Sequence, residues 1–159
     1  MHATVQTVAA ATDTARPAIN AWLDRRIIEL RAGDRPAAHN GDPIRLSRNR
    51  AVQIAVAAEL TRLGLPARAA ARAAYAASDL AGGVNLDGQP MERQPGHLFP
   101  SGSTWLVATA DSARVVNGPV DASFASIARA AGDGRVPRGC VVVELAPLVA
   151  QADMALVAG

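Results

Sequence analysis

The chain contains no lysine: all sixteen of its basic residues are arginine. Exclusive arginine fits a coding bias, and it also supplies a planar donor fork wherever a phosphate or a guanine is to be met. Aromatic residues are scarce, with two Trp, two Phe and one Tyr, so a core has to be assembled from Ala, Val, Leu and Ile. Alanine makes good helices but buries little apolar area. A single cysteine, Cys140, excludes an internal disulfide. Beside Val141, Val142 and Val143 it reads as a small buried hydrophobe in a reducing compartment, with a redox or ligand-sensing thiol as the alternative. The N-terminus lacks the basic segment and apolar run of a secretion signal, and no uncharged apolar stretch reaches bilayer-spanning length. The expectation is a cytoplasmic protein with no membrane partner.

Catalytic chemistry is missing as well. The three histidines, His2, His39 and His97, fall at a terminus, in a loop tip and in a second loop, so they form no metal set and no triad. There is no phosphate-cradling G-x-x-x-x-G-K-[ST], no G-x-G-x-x-G, no H-E-x-x-H and no C-x-x-C. The segment Asp133-Gly134-Arg135 is as well explained by a turn as by an anion site. The inventory points to a protein that is not an enzyme, with no cofactor and no metal.

Charge is unevenly divided. Residues 1–80 carry eleven Arg against seven acidic groups, a net of +4, while residues 81–159 carry five Arg against seven, a net of −2. A basic first half suits a nucleic-acid-facing role and leaves the second half another task. Residues 6–12 read as a short helix with Thr4 as cap, interrupted at Asp13 and Thr14. A second helix starts near Ala15, with Pro17 tolerated in its first turn. Ile19, Trp22 and Leu23 form its apolar stripe, and Arg16, Asn20 and Asp24 lie on another side. Ile27 and Ile28 are expected to start a short strand that returns through Pro43-Ile44-Arg45-Leu46, giving a two-stranded ribbon with a long tip. Ser47 caps a third helix to about Arg62, Gly64 stops it, and Pro66 opens a fourth through about Ala77, with Arg68 and Arg72 on one face.

The stretch 79–102, rich in Gly and Pro, reads as linker or loop. Thr104–Thr109 and Arg114–Asn117 follow as an antiparallel pair, then a helix from Asp121 or Ser123 to Ala131. Cys140–Leu145 is the strongest strand signal, and Pro147 opens a terminal helix to about Val157. The expected class is α+β, with residues 1–78 as one domain and 103–159 as a small β-β-α-β-α unit.

The run from Thr7 to Ile28 resembles the first two helices of the MerR-type winged helix-turn-helix regulators. Ala9, Asp13, Ile19 and Trp22 stand where that family places an alanine inside the first helix, a turn residue, and the branched and aromatic anchors of the second. The family's usual turn residue is glycine; aspartate also tolerates a left-handed backbone. Arg26-Ile27-Ile28 stands at the family's G-L-[IL] ending, and Glu59–Leu65 resembles its junction between third and fourth helices. The resemblance covers about residues 4–77 and stops near residue 80, where the family's usual coiled coil is replaced by other sequence.

This likeness implies a sequence-specific double-stranded DNA-binding protein of bacterial or phage type, a transcriptional regulator. Its alternatives are a phage-type excisionase or packaging accessory protein, and a DNA-independent interaction module. A helix in the major groove reads bases from its exposed N-terminal side, which nominates Arg16, Pro17 and Asn20. Thr14, Arg25, Arg26, Arg31, Arg35, Arg45, Arg48 and Arg50 are the candidate backbone contacts. Arg25 and Arg26 also suit the dipole at a helix end, whereas Arg48 and Arg50 oppose the dipole at a helix start, which points to an external phosphate. Trp22 reads as core. Trp105 is either core or a ligand contact. The second half is expected to form a homodimer, a sensing unit, or both, since a two-fold protein matches a palindromic site.

Overall fold

Local capping sets the first elements. In the computed structural model, which describes residues 1–159, Thr4 closes a capping box with Thr7 and starts helix α1, Val5–Ala11. Residues Ala3–Thr4 form a two-residue strand, β1. The chain then turns through Asp13, whose φ is +47°, the left-handed conformation that aspartate tolerates. The Thr14 N–H reaches back to the Ala9 carbonyl at 3.0 Å, and α2 follows as Arg16–Asp24. It ends the same way. Arg26 sits at φ +52°, with Arg26 N–H on Leu23 O at 3.1 Å and Ile27 N–H on Trp22 O at 2.8 Å, a Schellman closure in which arginine occupies the position that usually goes to glycine.

That closure corrects one expectation. Ile27 and Ile28 form no strand, because their N–H groups both return to the Trp22 carbonyl. The short strand β2, Arg45–Leu46, pairs with β1 instead, Ala3 opposite Leu46. What remains of the expected ribbon is a single bridge, Arg35 to Arg45, made of two backbone hydrogen bonds of 2.8 Å.

Ser47 accepts from the Arg50 N–H and starts α3, Arg48–Arg62. Gly64, at φ +98°, ends that turn, and α4 runs Ala67–Ser78. The stretch expected to be a loop carries two short strands, β3 (Gly83–Val84) and β4 (Pro90–Met91). Phe99 and Arg93 are buried within it. Strands β5 (Ser103–Ala108) and β6 (Ala113–Gly118) form the expected hairpin, and α5 (Phe124–Ala131) is capped by Ser123. Strand β7 is Val141–Glu144, and α6 is Leu145–Val157.

The larger sheet has the order β4-β3-β6-β5-β7, antiparallel except for β3 beside β6. Alternation along β5 sends Leu106 and Ala108 to one face and Trp105 and Val107 to the other. The first face joins a core of 32 buried residues that extends from Ala3 to Leu156. Helix α6 packs on α1 and α3, so the two halves of the chain share this core. The second face carries α5 over a small cluster, Val84, Val107, Val116, Ile127 and Ala130. The class is mixed α+β, with six helices and two small sheets. No helix is long and apolar enough to cross a membrane.

Candidate functional site

Helix α2 is amphipathic in the way its spacing predicts: Ile19 and Trp22 are buried, Arg16 and Pro17 are exposed, and Asn20 is half-buried. Arg16 Nη1 donates to Gln6 Oε1 of α1 at 3.4 Å. Ala15 gives α2 no side-chain cap, and the first turn holds no acidic group. The positive end of the helix dipole therefore meets neither a side-chain cap nor a carboxylate of α2.

The turn ahead of α2 is held from both sides. Thr14 Oγ1 donates to the Thr12 carbonyl at 3.2 Å and accepts from Thr12 Oγ1 at 3.0 Å. Arg62, at the end of α3, donates to that same carbonyl and pairs with Glu59. Gln6 and Arg62 thus support this surface, though neither stood out in the sequence. Arg25 and Arg26 are exposed at the far end of α2, and Arg35 and Arg45 are exposed on their shared bridge. Arg31 lies over the Tyr75 ring, 4.7 Å from its centroid, a cation–π contact.

Two of the nominated backbone contacts, Arg48 and Arg50, are held by aspartates of this chain. Arg50 is 1% exposed, which removes it from any surface. Its Nε donates to Asp34 at 3.2 Å and its Nη2 to Asp79 at 3.1 Å, and it also bonds Gln53. Asp34, with its side chain fully buried, further accepts from the Arg31 and Ser47 N–H groups, both at 2.7 Å. A buried ion needs such partners, since desolvation is otherwise uncompensated. Arg48 makes two bonds to Asp153 of α6, 2.7 and 3.1 Å, and a third to the Gly96 carbonyl at 2.7 Å. The dipole conflict at the start of α3 is resolved by carboxylates of this chain.

Arg93 is a second buried arginine, with no carboxylate beside it. Its guanidinium donates to six carbonyls, those of Ala76, Ala77, Leu80, Gly82, Gln94 and His97, at 2.8 to 3.1 Å. It closes the C-terminal end of α4 and fastens residues 80–97 to it. Burial pushes its pKa below the ordinary arginine value.

Trp105 stands apart from these residues, on the α5 face of the sheet, packed against the small cluster with its indole N–H buried and unpaired. Cys140 is half-buried, and burial pushes its thiol up, which keeps the nucleophilic thiolate scarce at neutral pH. The described residues contain no group of three His, Cys, Asp or Glu placed to hold a metal ion. Comparison of the chain with protein-family models, with curated proteins and with solved structures finds no match.

Proposed function

We propose that the chain binds double-stranded DNA through α2, with α1 and α2 acting as a helix-turn-helix of the MerR-like winged type and the protein serving as a transcriptional regulator. The observation that carries this reading is the exposed first turn of α2. Arg16 and Pro17 are exposed and Asn20 is half-buried, while Ile19 and Trp22 are buried, with Arg16 steadied by Gln6 and with no carboxylate paired to it. Arg16 suits guanine O6 and N7, and Asn20 suits adenine N6 and N7. Thr14 ahead of that turn, Arg25 and Arg26 at the far end of α2, and Arg35 and Arg45 on their bridge supply phosphate contacts, which position the helix without reading sequence. Arg48 is engaged internally and contributes less.

Selection from a randomised duplex pool at moderate salt tests the proposal. It should enrich one motif, and N20A should relax the preference for adenine at one position. If no motif emerges, a DNA-independent interaction module takes its place. The homodimer belongs to the same proposal, with the second half supplying the contact. Light scattering of the protein alone and with its selected duplex should give twice the chain mass in at least one state.

A further inference from the structure

The end of α2 and the face of α4 enclose a cleft of about 260 Å³ lined by Arg26, Arg31, Arg68, Arg72, Tyr75 and Glu29, room for a hydrated oxyanion. We propose that this cleft is a phosphate-binding site.

Four arginines and one glutamate line it. Glu29 reaches only Arg31, at 3.7 Å, with both side chains about half exposed, and such a pair is weak. Arg26, Arg68 and Arg72 have no ion pair at all. Arg72 bonds the Ala110 carbonyl, which orders the side chain and leaves its charge uncompensated. Arg31 is held flat over Tyr75. Like charges one helical turn apart, as Arg68 and Arg72 are, repel each other. Arg68 also lies in the first turn of α4, which has no acidic residue, so it opposes the helix dipole. At the start of α3 the same conflict is answered by Asp34, Asp79 and Asp153. Here nothing in the chain answers it.

Arg26 adds an independent sign. It occupies a left-handed position at the end of α2 where glycine is the low-cost choice. An arginine held there places a fourth cation on the cleft at the expense of backbone strain. Phosphate, with several acceptor oxygens and up to two charges, suits a group of planar arginine forks better than a carboxylate or a halide does. The phosphate can belong to a duplex backbone or to a free ligand, and the site does not depend on α2 reading bases.

The full-length chain is titrated with inorganic phosphate against chloride at matched ionic strength, following the arginine Nε–H resonances. Those of Arg26, Arg68 and Arg72 should move with phosphate alone. R68A/R72A should weaken the affinity by about tenfold or more, while R129A, on the exposed side of α5, should leave it unchanged. R26G should weaken phosphate binding with thermal stability held or raised, a combination that a merely structural Arg26 would not give. A duplex titration at two salt concentrations identifies the source. If the phosphate is that of a duplex, R68A/R72A lowers the salt slope by about two and leaves the selected motif intact. If it is a free ligand, inorganic phosphate binds and the slope does not change. Arginine resonances that ignore millimolar phosphate, together with an unchanged slope in R68A/R72A, would overturn the proposal. Failure of α2 would show separately, as loss of the motif with phosphate binding intact.

Discussion

Three helix starts in this molecule carry arginine in the turn that least favours it, and they meet the conflict in two ways. At the start of α3, Arg48 and Arg50 meet Asp153, Asp34 and Asp79. At the start of α4, Arg68 meets no carboxylate, and at the start of α2 neither does Arg16. A misplaced charge with internal partners is structural, whereas one without them leaves its electrostatic cost open for a partner to offset. The partner set of each arginine, more than its position on a helix, separates the arginines that hold the fold from those available to bind.

Removing Arg50 should break that comparison most visibly. R50M leaves Asp34 and Asp79 as buried carboxylates without a counter-ion, and breaking such a pair costs about 3 to 5 kcal/mol. Urea unfolding would read this as a lower midpoint at unchanged slope. R50M/D34N/D79N should recover part of the loss, since the uncompensated charges are gone; no recovery would mean that packing, and not charge, governs the site. Arg93 comes next. R93M withdraws donors from six carbonyls at the end of α4 and should cost about 3 kcal/mol, with faster hydrogen exchange concentrated in residues 76–97.

Much of the helical scaffold was legible because its signals are local. Thr4, Ser47 and Ser123 are caps that need only their own next turn, Gly64 ends α3 within four residues, and Ile19 with Trp22 marks the buried side of α2 at helical spacing. Asp13 was readable as a left-handed residue for the same reason. The illegible parts depend on distance in sequence. Arg50 meets acids 16 and 29 residues away, Arg93 meets carbonyls that carry no sequence signature, and β2 chose β1 over Ile27–Ile28 through a two-residue pairing. The cleft was half visible, as Arg68 and Arg72 on one face of α4. Its other wall comes from residues 26–31, which periodicity alone cannot bring near.

A smaller effect separates the two kinds of exposed arginine. R16A should remove about 1 to 3 kcal/mol of discrimination against the wrong base at one position of the selected motif. R45A, on the bridge with Arg35, should weaken binding to all duplexes alike and lower the salt slope by about one unit. If R16A binds every duplex as tightly as the unmodified chain does, α2 is scaffold and the contrast between the helix starts loses its functional half.

The finest test compares the two left-handed residues that end α1 and α2. Asp13 and Arg26 have φ of +47° and +52°, and both turns are closed by a hydrogen bond from the second residue beyond the cap, Thr14 to Ala9 and Ile27 to Trp22. Asp13 makes no side-chain hydrogen bond and is exposed, so its contribution is conformational. D13G gains relief of left-handed strain and loses stability through a freer unfolded chain, terms of about 1 kcal/mol each with opposite sign. The net should lie within about 0.5 kcal/mol of zero. D13V places a branched side chain in the same conformation and should cost about 1 to 2 kcal/mol. Because the Thr14 N–H sets the entry of α2 through backbone, D13G should also keep the selected DNA motif. R26G, with the same backbone relief, should differ from D13G by weakening phosphate binding at the cleft and by lowering duplex affinity without changing the selected motif. Identical behaviour of the two glycine variants in both assays would reduce Arg26 to a turn residue.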